Sequence, residues 1–125
     1  MIQVLRPKVA YEDERGQITN LLEDLPFPIQ HVAFITCKRG AFRGNHVHQE
    51  DSHYTYLVSG DMCYTQKEGD MLETVWLEPG DVVFTPAGVP HMMWFADDSV
   101  IIAFTTRPRH GGRYEEDTQP YDLTQ

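Results

Sequence analysis

The sequence predicts an all-β protein folded as a small antiparallel β-barrel. Short runs rich in β-branched and aromatic residues recur along the chain, and turns that contain glycine or proline separate them. Eight prolines and nine glycines are spread over 125 residues, which suits many short strands better than long helices. Regular short strands of this kind are typical of barrels and sandwiches.

We expect one domain, residues 1–125, with enough apolar residues (41%) for one core. Residues 1–30 form N-terminal strands and a loop, and residues 31–106 form the barrel core. The polar tail, residues 107–125, is expected either to wrap the barrel surface or to fray.

The individual elements follow from local composition. A weak edge strand is expected to end near Pro7, a turn lies at 13–16, and a proline-containing loop covers 23–28. A hairpin turn is expected at 67–70. The predicted strands cover residues 17–22, 31–37, 52–58, 62–66, 73–77 and 100–106.

The formal net charge of −9 argues against nucleic acid and anionic membranes as partners. A small anionic ligand remains possible, because arginines can hold a phosphate locally. Cys37 and Cys63 lie in apolar runs, where two free thiols are favoured over a disulfide. Residues 1–10 have no hydrophobic segment typical of a signal peptide. We therefore expect a cytoplasmic protein.

Four histidines are placed to meet inside the barrel. His46 and His48 are separated by one residue, which puts both imidazoles on the same face of a strand. His53 lies five residues beyond His48, so a turn and a returning strand would bring it alongside the pair. His91 follows a second strand and a tight turn, PAGVP. Converging imidazoles predict a metal site.

Metal chemistry narrows the choice of ion. Nitrogen ligands disfavour magnesium and calcium, which prefer oxygen. A divalent transition metal is expected, with iron, nickel, zinc, copper, cobalt and manganese all open. Because imidazole binds metal only when it is neutral, we expect metal loss below about pH 6.

The histidines belong to two longer patterns. Residues 40–60 fit G-x5-H-x-H-x4-H-x6-G, and residues 80–91 fit G-x5-P-x-G-x2-H. These stretches resemble the two signature motifs of the cupin superfamily, which implies a double-stranded β-helix, or jelly roll. Two positions depart from the family pattern: His53 stands where a glutamate is usual, and Phe95 where an asparagine follows the second motif.

A finer resemblance points to sugar chemistry. The DERG turn at 13–16 and the elements after it look like the opening of nucleotide-sugar-modifying cupins. Those include dTDP-4-keto-6-deoxyglucose ketoisomerases and relatives of dTDP-4-dehydrorhamnose 3,5-epimerase. The segment 42–48, FRGNHVH, is similar to the metal-binding cupin domain of capsule-sugar reductase-epimerases. The resemblance implies an isomerase or epimerase that acts by metal-assisted enolisation of a keto sugar nucleotide.

Two other functional classes remain open. Ligation by histidines alone also suits an iron or copper dioxygenase acting on a small chelating substrate. A non-catalytic cupin that binds a metal or ligand needs no more than this one domain.

The candidate catalytic residues are His46, His48, Tyr54 and Arg43. The metal or a histidine would polarise the keto group, and a neighbouring base would remove the adjacent carbon-bound proton. The Tyr54 hydroxyl could act as acid or base if it faces the cavity. Arg43 could hold the anionic part of a small substrate, although a surface salt bridge suits it equally well.

The strands at 31–37 and 100–106 are apolar on both faces. One face belongs to the core, so the other predicts burial against a second copy. We therefore expect a homodimer formed by sheet packing.

Overall fold

A computed structural model describes residues 1–124. They form twelve strands and one short helix, and the prediction of an all-β fold is confirmed. The elements are β1 Gln3–Leu5, β2 Val9–Asp13, β3 Gly16–Thr19, β4 His31–Cys37, β5 Phe42–His48, β6 His53–Ser59, β7 Met62–Glu68, β8 Met71–Leu77, β9 Val82–Thr85, β10 His91–Phe95, β11 Ser99–Thr105, α1 Arg113–Asp117 and β12 Thr118–Pro120.

Two five-stranded sheets make up the body of the protein. One has the strand order β1-β9-β6-β11-β4 and the other β12-β5-β10-β7-β8, with antiparallel pairing throughout. No ladder within residues 1–124 joins one sheet to the other, so the predicted barrel takes the form of two facing sheets. The core lies between them because alternate residues of each strand point inward.

The core is built from this alternation. In β11 every second residue is buried, and in β10 His91, Met93 and Phe95 are buried while the residues between them are only partly covered. The largest apolar side chains with almost no solvent exposure are Tyr64, Phe95, Leu57, Met62, Leu77 and Ile101. Cys37 and Cys63 are both free thiols, as predicted.

The N-terminal part differs from the prediction. The strand expected at 17–22 is only Gly16–Thr19, and it pairs with β2, a strand the sequence pattern did not reveal. The two form a separate hairpin around the predicted turn, where Asp13 accepts a hydrogen bond from the Arg15 amide (2.9 Å). Residues 20–30 belong to no strand of the sheets that residues 1–124 form, so the extended structure ends at Thr19.

The tail wraps the protein. Helix α1 and strand β12 follow β11, and β12 pairs with β5 in the register Thr118–His48 and Pro120–His46. This pairing places the tail directly beside two of the motif histidines. Among residues 1–124, no helix is long and apolar enough to cross a membrane.

Candidate active site

All four motif histidines line one cavity of about 300 Å³. His46 and His48 lie on β5, while His53 and His91 begin β6 and β10. His91 is the register partner of His46 across the β5–β10 ladder. His48, His53 and His91 are at most 4% exposed, and His46 is half-buried.

A bulge in β5 directs His46. Gly44 (φ 86°) and Asn45 (φ 55°) both have left-handed backbone conformations, and the β5–β10 register shifts between His91 and Met92. A Cβ at position 44 would lie 2.9 Å from the His91 carbonyl oxygen, so only glycine permits this close approach. The C-terminal tail braces the bulge, because Asn45 Oδ1 accepts a hydrogen bond from the Leu123 amide (3.0 Å).

The rings form two overlapping groups. Ring centroids are 4.5 Å apart for His46–His48, 4.7 Å for His46–His91, 5.5 Å for His48–His53 and 4.9 Å for His53–His91. Candidate ligand atoms of His46, His48 and His91 lie within 4.8 Å of one another, as do those of His48, Asp51 and His53. The predicted set of four therefore shares one cavity, but His53 stands with Asp51 in a second group that overlaps the first at His48.

Hydrogen bonds fix the orientation of two rings. The Thr118 hydroxyl donates to the Tyr114 carbonyl and lies 3.1 Å from His48 Nδ1, so the Nδ1–H of His48 is the donor to Thr118. His91 Nδ1 lies 3.3 Å from the Val89 carbonyl, which can only accept. Each ring thus carries its proton on Nδ1 and leaves a lone pair on Nε2.

Three imidazole nitrogens in the cavity have no partner among residues 1–124. His48 Nε2, His91 Nε2 and His53 Nδ1 are buried and make no hydrogen bond there. Buried polar atoms without protein partners are rare, so these nitrogens are suited to bind a ligand. Neutral imidazoles with free, convergent nitrogens also fit a transition metal, and the hydrogen bonds on the opposite nitrogens are those that metal-binding histidines usually make.

The cavity holds its histidines in the neutral form. Burial lowers the pKa of His46 and of His48 to about 4 and that of His91 to about 3. Burial also places the pKa of His53 well below its usual value, with nearby His91 as the next cause. Protons would therefore compete with a metal nearer pH 4 than at the pH of about 6 expected from free histidine.

Arg43 lines the cavity, as predicted for a residue at its mouth. Its Nε lies 3.3 Å from Cys37 Sγ, and its Nη2 donates to the Thr36 carbonyl (2.9 Å). No acidic side chain pairs with it in the part of the chain that the structure describes. The guanidinium is therefore available to an anionic ligand.

The structure separates Tyr54 from the other candidate residues. Its ring packs on Phe84 (centroids 4.7 Å apart) and Phe27 (6.3 Å) on the outer face of the first sheet. His53 and Thr55 line the cavity, and a residue between two inward-facing neighbours must point the other way. The proposed acid–base role of Tyr54 therefore has no geometric support.

Several residues in or beside the cavity were not predicted from the sequence. Arg109 and Tyr114 from the tail line the cavity beside the histidines, and Thr118 holds His48. Asp51, in the first motif, is 3% exposed and pairs with Arg109 (3.1 Å). No local pattern marks the tail residues, because the β12–β5 pairing and the contact of Arg109 with Asp51 bring them to the site.

The chain belongs to the cupin family: residues 33–106 match the cupin domain model, which is more than half of its length. The match includes both histidine motifs and ends before the tail. No curated protein matches the sequence significantly.

Solved structures share the fold at low sequence identity. A sugar 3,4-ketoisomerase from Thermoanaerobacterium thermosaccharolyticum in complex with TDP is 21% identical, with a TM-score of 0.78 over 94% of this chain and 86% of that one. A dTDP-4-dehydrorhamnose 3,5-epimerase from Sulfolobus tokodaii is 16% identical, with a TM-score of 0.80 over 98% and 78%. A TDP-fucose-3,4-ketoisomerase from Campylobacter jejuni is also 16% identical, with a TM-score of 0.80 over 98% and 90%.

The buried histidines predict that the metal-free protein loses stability as the pH falls. The pKa of His48 is about 4 in the folded protein, compared with 6.5 in the unfolded chain. Between these values the unfolded chain binds a proton that the folded chain does not, so stability that is complete above pH 6.5 is lost toward pH 4. We expect His48 to account for a loss of about 2 kcal/mol between pH 7 and 4.5.

Urea unfolding in EDTA at the two pH values measures this loss. His48→Gln retains an amide donor but does not titrate, and its loss should be smaller by the same amount. An equal pH dependence in both proteins would contradict the assignment.

Proposed function

We propose that the protein is a sugar isomerase or epimerase that moves a proton on the carbon next to the carbonyl of a keto sugar nucleotide. The observation that carries this proposal is the His48 side chain, which is neutral, fixed in one tautomer, and presents an unpartnered Nε2 in the cavity. The fold it shares with ketoisomerases and a 3,5-epimerase supports the same chemistry.

His48 is suited to accept the carbon-bound proton. Its pKa of about 4 keeps the ring in the basic form at neutral pH. Such a weak base needs help once it is charged, and the Asp117 carboxylate, 3.8 Å from Nδ1, stabilises the imidazolium that forms. Return of the proton to the neighbouring carbon gives an isomerase, and return to the other face of the same carbon gives an epimerase. His46, half-buried in the same cavity, is the second candidate for this return step.

The cavity suits the sugar and not the whole nucleotide. Its volume of about 300 Å³ is at the small end for ligand pockets, so the nucleotide would extend outside. Arg43 is placed to hold the diphosphate. Phe42, which is 51% exposed and also lines the cavity, offers an aromatic surface to the rest of the ligand.

The proposal predicts exchange with solvent. In D2O, TDP-4-keto-6-deoxyglucose incubated with EDTA-treated protein should gain deuterium on a carbon next to the keto group, measured by mass spectrometry and NMR. His48→Gln should slow this exchange by roughly 10²–10⁴-fold, because it removes the base. His110→Ala, outside the cavity, is the matched control.

Absence of deuterium from the sugar would overturn the isomerase proposal. Oxygen uptake by iron- or copper-loaded protein would instead favour a cupin dioxygenase, an alternative supported by the compact group of His46, His48 and His91. Ligand-induced stabilisation with neither reaction would leave a binding protein.

We also propose that His46, His48 and His91 can hold a divalent transition metal, since their candidate ligand atoms lie within 4.8 Å of one another. A bound ion would polarise the keto oxygen of the sugar. It would also occupy the Nε2 lone pair of His48, so His53 is the cavity imidazole left to act as the base.

Elemental analysis after loading with zinc or iron(II) tests this ligand set. His48→Gln should reduce the metal content to below about one tenth of wild type, because His48 belongs to both ligand groups. His53→Ala should retain most of the metal, and His110→Ala all of it. Equal losses in the His53 and His48 variants would instead indicate a shared four-histidine centre.

A homodimer is our proposal for the exposed apolar surface of the first sheet. On edge strand β4, Val32 is 58% and Phe34 is 69% exposed, and their register partners on β11 are Phe104 and Ile102. These four side chains form one apolar patch, which packing against a second copy would cover.

The two free thiols suit a reducing compartment, and we propose that the protein is located in the cytoplasm.

Light scattering tests the dimer. We expect a mass of twice the 14.4 kDa chain. Phe34→Glu should give monomers, because it places a charge in the buried apolar patch. Leu72→Glu puts the same charge on an exposed site of the other sheet and should leave the dimer intact. A wild-type monomer, or dimers with Phe34→Glu, would count against this interface.

A further inference from the structure

Arg109 is a cation inside the histidine cavity that neither cupin motif contains. It follows β11 and lies outside residues 33–106, which match the family. It nevertheless lines the same cavity as all four histidines. Its side chain is only 21% exposed, and charged side chains are seldom covered to this extent without a partner or a function.

Its position is fixed from two sides. Nη2 lies 3.1 Å from Asp51 Oδ2, and the guanidinium carbon lies 4.8 Å from the centroid of the Tyr114 ring. Asp51 is itself held, since its Oδ1 accepts hydrogen bonds from the backbone amides of Thr106 (3.1 Å) and Arg107 (3.2 Å). A guanidinium clamped in this way loses little conformational freedom when it binds a ligand.

Part of its hydrogen-bonding capacity is unused. Arg109 Nε is buried and has no partner in the part of the chain that the structure describes. Asp51 does not reach it in this structure: Oδ2 of the carboxylate accepts from Arg109 Nη2, and Oδ1 accepts from Thr106 and Arg107. A buried N–H without an acceptor, on a residue that lines the cavity, is suited to donate to an acceptor on a ligand.

The charge of the cavity identifies that acceptor. The four imidazoles are neutral at pH 7, and the positive charge of Arg109 is among the causes that lower the pKa of each. The charged side chains that line the cavity are Arg43 and Arg109, whereas Asp51, the partner of Arg109, does not line it. The fixed charge offered to a ligand is thus positive, even though the whole chain carries −9. An anionic oxygen complements both this charge and the free N–H.

We propose that Arg109 binds the substrate oxygen that becomes negatively charged during the reaction. When the base takes the proton from carbon, the C–H electron pair forms a carbon–carbon double bond. The carbonyl π electrons then move onto oxygen, and the resulting enediolate oxygen accepts the hydrogen bond from Arg109. Reprotonation of carbon reverses these movements. Arg109 would therefore stabilise the transition state more than the bound substrate. This inference rests on the proposed function.

Oxalate, a planar dianion with adjacent oxygens like those of an enediolate, probes the site without turnover. Titration of EDTA-treated, ¹⁵N-labelled protein should shift the Nε–H resonance of Arg109. Arg109→Gln should weaken oxalate binding by at least about tenfold. Arg109→Lys keeps the charge beside Asp51 and protects the fold, and it should bind with intermediate affinity. Arg107→Gln, which removes a half-exposed arginine from the same segment, should bind like wild type.

Kinetics with the keto sugar nucleotide provide the second test. Arg109→Gln should lower kcat by about 10²-fold or more and change KM little, since the interaction develops in the transition state. Thermal unfolding of each variant shows whether the fold is retained.

The two proposals can fail separately. If wild type exchanges deuterium but Arg109→Gln and Arg109→Lys, both folded, match its kcat, Arg109 has no such role. Oxalate binding that is absent from wild type, or unaffected by the Arg109 substitutions, also overturns the inference. Arg109-dependent oxalate binding without any exchange in wild type keeps the anion site and overturns the isomerase proposal.

Discussion

The pairing of β12 with β5 is the constraint on which the site depends. It brings Thr118 to His48 and so decides which nitrogen of that ring carries the proton. The same segment braces the bulge at Asn45, from which His46 projects. The cupin motifs supply the imidazoles, but the tail outside them sets the tautomer of His48 and supports the bulge before His46.

Burial then gives the cavity its electrostatic character. Imidazoles enclosed between two sheets have little access to water, so each remains neutral. Arg109, whose side chain is 21% exposed, lines the same cavity and adds a positive charge to it. The charged side chains that line the cavity, Arg43 and Arg109, are both positive, although the whole chain carries a net charge of −9.

Strand periodicity accounts for much of what the sequence predicted. Because a single residue separates His46 from His48 in β5, the two side chains were predicted to lie on the same face of the strand. Turns rich in glycine and proline marked most strand ends. The same rule applies to Tyr54: it follows His53 directly within one strand, so the two cannot both face the cavity. The turn and part of β3 were predicted, but strand β2 was not, because it is almost entirely exposed and lacks a regular apolar alternation.

The sequence by itself determined the all-β fold, the cupin family and the gathering of four histidines, because each depends on local spacing along the chain. Only the tertiary structure decided that Asp51, Arg109, Tyr114 and Thr118 surround those histidines. Their positions depend on pairing between segments about 70 residues apart (Thr118 and His48) and 58 apart (Arg109 and Asp51). Contacts across such distances leave no periodic pattern in one sequence, because they follow from which strand edge remains open for the tail.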